Sequence, residues 1–254
     1  MFELSGVQVK KIALITGASG GLGQAIAKKL LIDDWKLILV GRDQQKLKLA
    51  YDDNHTQIIA DCSNTEGVKK IFEEINSNQL LPTALAHCVG NIRLGALHRM
   101  HESDFIDCIN TNLFSAFHTL AGFINHLKQS SSAGSAVLVS SAAASIGTPN
   151  HEAIAAAKGG LEAMVRSASA TYASSNVRIN AVSPGILDTP AAANILSSDL
   201  AREMAAKQYP IKGIGNAEDV ADLMAWLLSA SAKRVTGQVW SIDGGFSNIR
   251  PIVK

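Results

Sequence analysis

The chain has 254 residues, a formal charge of +1 at neutral pH, and 47% apolar but only 5% aromatic residues. That length is enough for one large domain with a substantial core, here expected over 1–254, and the balanced charge without a basic run argues against a nucleic acid or an anionic membrane as partner. No segment approaches the roughly 20 apolar residues of a membrane span, and the start shows no apolar stretch behind a basic flank, so no signal peptide is expected.

In chain order, short β-rich apolar runs alternate with longer helical ones. The first strand is expected at residues 12–16, followed by a helix over 21–32. A second strand at 37–40 and a third at 57–60 come next. Ser63-Asn64-Thr65-Glu66 reads as a capping box opening a helix toward Ile75. Strands follow at 84–88, 136–140 and 177–182, and Ser130-Ser131-Ser132 reads as a surface turn. Asn216 is placed to cap a helix over 217–228, before a last strand at 238–242. Near-continuous apolar runs imply strands buried on both faces. The fold expected is therefore α/β: a single Rossmann-type, doubly wound parallel sheet of about seven strands with helices on both faces. The three cysteines, Cys62, Cys88 and Cys108, are scattered and odd in number. They suit neither a disulfide framework nor a zinc site, which points to a reducing cytoplasm.

The first strand runs into Thr16-Gly17-Ala18-Ser19-Gly20-Gly21-Leu22-Gly23 and then a helix. Glycines there permit a tight turn and close backbone approach to a pyrophosphate, and the helix start offers free N–H donors. The strand–turn–helix context makes this a phosphate site rather than a mere turn. No metal site is expected: His98 and His101 have helical spacing but no third ligand.

With these landmarks the chain resembles a short-chain dehydrogenase/reductase along its length, near the bacterial β-ketoacyl-reductase-like members. The resemblance makes residues 16–23 the cofactor turn, through Thr16, Gly17, Ser19, Gly21, Leu22 and Gly23. It makes Asp61 and Cys62 the adenine-side pair, Asn112 the active-site asparagine and Ser141 the active-site serine. Asn180-Ala181-Val182-Ser183-Pro184-Gly185, with Ile186 and Thr189, matches the nicotinamide-side loop, and Thr236-Gly237-Gln238 and Asp243-Gly244-Gly245 match the last strand and its exit. Residues 190–210 correspond to the variable substrate lid. The family's Asn-Asn-Ala-Gly stretch is here His87-Cys88-Val89-Gly90; Gly90 is kept for close approach to cofactor, and the side chains before it are expected to pack under the sheet.

After the second strand stand Gly41, where an acid would select NAD, and Arg42, which suits the phosphate of NADP. NADP(H) is thus preferred and NAD(H) is the other choice, with adjacent Asp43 and the non-basic Gly20 weighing against the preference. The family's Tyr-x-x-x-Lys segment presents Lys158 but carries Ile154 at the tyrosine position. The resemblance implies that Lys158 holds the cofactor ribose, Ser141 orients a carbonyl and Asn112 holds a relay water, while the proton donor is absent. Of the tyrosines, Tyr51 lies toward the adenine side. Tyr172 stands about 27 Å along the same helix by its rise. Tyr209 lies in the lid, from which it can swing inward. His151, three residues before Ile154, is the candidate substitute acid, since imidazole exchanges protons near neutral pH; its other reading is a loop residue lining the cleft. Two functions follow: an oxidoreductase acting on a small-molecule carbonyl/alcohol pair, or a non-catalytic cofactor binder with a regulatory or assembly role. A homo-oligomer, expected as a tetramer, follows from the small residues Ala155, Ala156, Ala157, Gly159, Gly160, Ala163 and Ala168, which let a partner helix approach closely.

Overall fold

The computed structural model describes residues 11–250. The reading of the chain's start falls on residues 1–10, outside that range. Seven strands make one sheet in the order β3-β2-β1-β4-β5-β6-β7. They are β1 (Ile12–Thr16), β2 (Lys36–Gly41), β3 (Thr56–Ile59), β4 (Ala84–His87), β5 (Gly134–Val139), β6 (Val177–Pro184) and β7 (Val239–Ile242), all paired in parallel. The helices between them are α1 (Gly21–Ile32), α2 (Gln44–Ala50), α3 (Thr65–Ser77), α4 (Glu102–Ile109), α5 (Ser115–Gln129), α6 (Glu152–Tyr172), α7 (Asp199–Ala206) and α8 (Ala217–Leu228).

Because strand side chains alternate, each central strand feeds two cores. Leu14, Leu85 and Leu138 join Phe123 and Leu161 on one face. Ala13, Ile15 and Val137 join Ile26, Val182 and Met224 on the other. The strand order reverses between β1 and β4, and at such a switch point the carboxyl ends open a crevice suited to a ligand. The last strand departs from the expected two-sided burial. β7 is an edge strand, Trp240 is 39% exposed and meets Trp226 edge-on at 5.7 Å between ring centroids.

The capping box expected at Ser63 does not form. Asp61 draws both the Ser63 N–H and the Ser63 hydroxyl to its carboxylate, at 2.9 and 2.8 Å. Asn64 then caps α3 instead, its Oδ1 accepting from Gly67 N–H at 2.8 Å. Asn216 caps α8 as expected, accepting from Asp219 N–H at 2.7 Å. Residues 130–132 form a turn, with Ser131 at φ +50°.

Candidate active site

The glycine turn is shaped by close backbone approach. Gly17 sits at φ +69°, and a Cβ on it would lie 2.8 Å from the Cys88 carbonyl group at the end of β4. Gly20 precedes α1 without any side-chain cap, in contrast to Asp43, Asn64 and Asn216 at the starts of α2, α3 and α8. The first-turn N–H groups of α1 therefore face the crevice with the positive end of the helix dipole behind them, which is the chemistry of a phosphate cradle. Ser19 and Leu22 lie half-buried in this turn. Tyr51 braces it from below, donating its hydroxyl proton to the Ala18 carbonyl at 2.7 Å. Burial in that position raises the phenol's pKa well above its ordinary value.

Thr16 is fully buried, and its hydroxyl bonds His87 Nδ1 at 2.8 Å. The far nitrogen of His87 meets Ser115 Oγ at 3.1 Å, and Ser115 donates to the Thr111 carbonyl at 2.6 Å. His87 thus packs beneath the sheet edge, as its position in the sequence suggests, and braces the glycine turn against α5. Desolvation pushes its pKa down to about 3, so it stays neutral.

At the adenine side Arg42 is exposed, with its guanidinium 4.0 Å from an Asp61 carboxylate oxygen. Asp43 caps α2 through its Oδ1, which accepts from Gln45 and Lys46 N–H at 2.9 and 3.1 Å, and its Oδ2 lies 3.9 Å from Lys46 Nζ. Cys62 is buried at 3% exposure, and desolvation raises its thiol to about 12, so only its backbone faces outward chemistry.

On the reacting side, β5 ends in Ser140 and Ser141. Ser140 donates to the buried Glu162 carboxylate at 2.7 Å, which fixes the strand end against α6. Ser141 begins a short 3₁₀ turn, Ala142–Ala144, its oxygen accepting from Ala143 N–H at 3.2 Å. Lys158 is 4% exposed and donates to the Val139 carbonyl at 2.7 Å. Desolvation lowers its pKa to about 8. Asn112 lies in a π-helical turn, Asn110–Phe114, where α4 passes into α5. Such bulges re-aim side chains at functional sites. The Asn112 amide donates to the Cys108 carbonyl at 2.9 Å and to the Asn91 side-chain oxygen at 2.8 Å. Gly90 stands beside both groups: a Cβ on it would fall 2.9 Å from Asn112 Oδ1 and 3.6 Å from Lys158 Nζ.

Ile154 is 5% exposed, one turn before Lys158 on α6, and packs with Cys108, Ala143 and Ala153. It shares the wall of a cleft of about 340 Å³ with Ser141, His151, Pro184, Ile186 and Tyr209. His151 stands at the cap position of α6, where its Nδ1 contacts the Pro149 carbonyl at 2.7 Å. Tyr209, placed in the lid by the sequence, already forms part of this wall. Its oxygen accepts from Ile186 N–H at 2.8 Å and its ring lies on Gly185. Tyr172 ends α6, away from the cleft. Thr189 lies against Gly21, whose added Cβ would come 2.9 Å from the threonine methyl. His98 accepts from Arg99 and His101 precedes α4. The sequence reading missed Glu162, Asn91 and the π-turn. Hydrogen bonds to neighbours of the site leave no local motif, though an inward-facing glutamate four residues after Lys158 was a readable signal.

A family model described as Enoyl-(Acyl carrier protein) reductase matches residues 17–247. A tropinone reductase homologue of Arabidopsis thaliana is 30% identical over 244 residues, spanning 92% of this chain and 90% of its own length. The 3-oxoacyl-acyl-carrier-protein reductase FabG of Pseudomonas aeruginosa is 29% identical, spanning 92% and 96%. Among solved structures, ElxO with NADP bound is similar with a TM-score of 0.87 at 26% identity, over 94% of this chain and 99% of that one. Ligand-free aldohexose dehydrogenase of Thermoplasma acidophilum is similar with a TM-score of 0.87 at 28% identity, over 96% and 97%.

Proposed function

Because the chain belongs to the short-chain dehydrogenase/reductase family, we propose that it is a nicotinamide-dependent oxidoreductase for a small carbonyl/alcohol pair, working without the family's phenol at the proton-transfer position. The uncapped start of α1 and the glycine approaches at Gly17, Gly21 and Gly23 fit a dinucleotide. In this reading the pyrophosphate lies against Ser19, Gly21 and Leu22, the adenine side against Asp61 and Cys62, and the nicotinamide side along Gly90, Pro184, Gly185, Ile186 and Thr189. Lys158 holds the ribose. When bound, the cofactor supplies or accepts the hydride.

NADP(H) is preferred over NAD(H). Arg42 is exposed, with Asp61 no closer than 4.0 Å, and can turn to a phosphate, while the neighbouring acid that would favour NAD caps α2 through its Oδ1. Ile154, a buried side chain with no exchangeable proton, replaces the tyrosine. The observation that carries the reading is that Ser141, His151 and Ile154 share one cleft. Ser141 donates to the substrate oxygen. His151 donates its Nδ1–H to the Pro149 carbonyl and turns Nε2 to the cleft; as the imidazolium it gives the Nε2 proton to the new alkoxide and is left neutral. Residues 190–210 serve as the variable lid. A homotetramer is supported by open space beside Gly159, by the exposed Ala156 and Ala163 on α6, and by Phe114 and Phe117, 44% and 48% exposed, on and before α5. Three free thiols suit the cytoplasm. The buried Ile154 also favours a second reading, a non-catalytic NADP(H)-binding protein with a regulatory or assembly role.

Two measurements test this. Calorimetric titration is expected to give tighter binding of NADPH than NADH, and Arg42→Ala to remove the difference; equal affinities in the unmodified protein would overturn the preference. NADPH oxidation with a carbonyl panel is expected to be slow and to be lost in His151→Ala. Turnover that survives that change removes His151 from the mechanism. No turnover with intact NADPH binding moves the assignment to the non-catalytic reading.

A further inference from the structure

Among the described residues, the cleft that holds Ser141 has no lysine, arginine, aspartate or glutamate in its wall, and His151 is its one basic side chain. Most of that wall is apolar, with Ile92, Leu94, Ile154, Ile195 and Phe246 facing it. Lys158, one turn after Ile154 on α6, has its ammonium held by the Val139 carbonyl, and a separate groove behind Ile92, Leu94 and Ile195 holds Arg93, paired with Asp107 at 2.9 Å. A carboxylate in the cleft would lose its hydration with only His151 to face it, and that counter-charge disappears once His151 has given up its proton.

Two hydroxyls in the same wall are not satisfied by the protein. Tyr209 spends its oxygen lone pair on Ile186 N–H, but its own proton finds no acceptor among the described residues. Thr148 Oγ1 is buried and has no hydrogen-bond partner at all among them. For the buried Thr148 Oγ1 this is costly unless something else meets it, while the half-buried Tyr209 hydroxyl keeps a proton that a ligand can accept. Neither is the carbonyl-facing hydroxyl, which is Ser141. The Tyr209 ring is also held from both sides, by Gly185 and by Phe246 at 5.2 Å between centroids, so its hydroxyl is presented from a fixed position.

We propose that the substrate is an uncharged, apolar-bodied ketone or secondary alcohol carrying a second oxygen function, which Tyr209 and Thr148 receive while Ser141 holds the reacting oxygen. The proposal rests on the oxidoreductase reading and names its substrate class. Tyr209 and Thr148 are binding groups and take no part in hydride or proton transfer.

The test uses ketones on one six-membered ring: cyclohexane-1,4-dione and cyclohexanone, which differ by one hydrogen-bond acceptor, and 4-oxocyclohexane-1-carboxylate, with 4-oxocyclohexane-1-carboxamide as its uncharged match in size. Each is titrated calorimetrically into the NADP-loaded protein and assayed with NADPH. The dione is expected to bind about tenfold tighter than the monoketone, the worth of one hydrogen bond to a waiting buried donor, and the carboxylate more weakly than the dione, the monoketone or the carboxamide. Tyr209→Phe and Thr148→Val should each remove most of the dione's advantage over the monoketone, and should do so through KM more than through kcat. Since Tyr209→Phe also takes an acceptor from Ile186, Thr148→Val serves as the independent variant. Binding of the carboxylate as tight as the dione, or an unchanged dione-to-monoketone ratio in both variants, overturns the proposal. If no ketone turns over while the calorimetric order holds, the substrate class stands and the catalytic reading fails.

Discussion

The two halves of the crevice are built from different materials. The nucleotide half is made of backbone: bare N–H groups at the start of α1, Gly17 at positive φ and Gly90, where an added Cβ would fall 2.9 Å from Asn112 Oδ1. The reacting half is made of side chains: Ser141, His151, Ile154 and Tyr209 around one cleft, with Lys158 and Asn112 behind them. A backbone cradle depends on turn geometry and tolerates change in most side chains around it. A reacting cleft changes its chemistry with one residue. Cofactor holding and proton transfer are therefore separable here, and in the proposed mechanism Ile154 bears only on the second.

The sharpest way to test that separation is Ile154→Tyr. If the halves are independent, NADPH affinity should stay within about twofold while carbonyl turnover rises by about 10²–10⁴-fold, the usual contribution of a general acid–base group. A phenol there would stand one turn before Lys158, whose ammonium lowers the pKa of an adjacent acid. Unchanged turnover with intact binding would show that the reacting half has diverged in more than one side chain.

The converse change is Gly17→Ala. Its Cβ would meet the Cys88 backbone, and the residue would be held at φ +69°, a strain of order 1–3 kcal/mol. Cofactor affinity is expected to fall by about tenfold to a hundredfold, as that cost sits in the turn itself. The cleft's ketone affinity, read by calorimetry, should stay unchanged. Loss of both together would mean the halves are coupled.

The fold was legible because apolar runs and turn glycines act over a few residues at a time. β1 and α1 fall where their residues place them, and the cap of α8 is readable from Asn216 alone. Boundaries moved where side chains compete: Asp61 takes Ser63 and hands the α3 cap to Asn64. The edge position of β7 depends on which strand stops pairing, a property of the whole sheet that its own residues do not encode. In the site, Ser141, Asn112 and Lys158 stand around the end of β5 and the cleft. The π-turn that carries Asn112 left no sequence signal; it lies where α4, packed against α6, passes into α5. Tyr209 was readable as a lid residue but not as a cleft wall, because its place is set by Gly185 and Ile186 more than twenty residues earlier.

His87 joins the halves and offers a pH test. Folded, it binds a proton only near pH 3; unfolded, near the ordinary 6.5. Its contribution is complete above the unfolded value and is lost as pH falls through this window, because the unfolded chain takes up the extra proton. Stability should drop by about 1.4 kcal/mol per pH unit from this group, and His87→Asn, whose amide still offers a donor and an acceptor to Thr16 and Ser115, should remove that slope. Urea unfolding across the window reads it; an equal acid slope in both proteins would mean that His87 is not kept neutral by burial.

The smallest expected effect concerns Asp43, which beside Arg42 looks in sequence like an acid that selects NAD. In the structure its carboxylate is the α2 cap. Asp43→Ala should cost about 1 kcal/mol of stability, the ordinary worth of a cap. Asp43→Ser, which keeps an oxygen for the Gln45 and Lys46 N–H groups, should recover most of it, to within a few tenths of a kcal/mol. Neither change should alter the ratio of NADPH to NADH affinity by more than about twofold, because a carboxylate turned back into its own helix does not face a ribose. Thermal unfolding measures the first effect and cofactor titration the second. If Asp43→Ser leaves stability intact but weakens NADH selectively, the carboxylate is shared with the ribose, and the nucleotide half depends on side chains as much as the reacting half does.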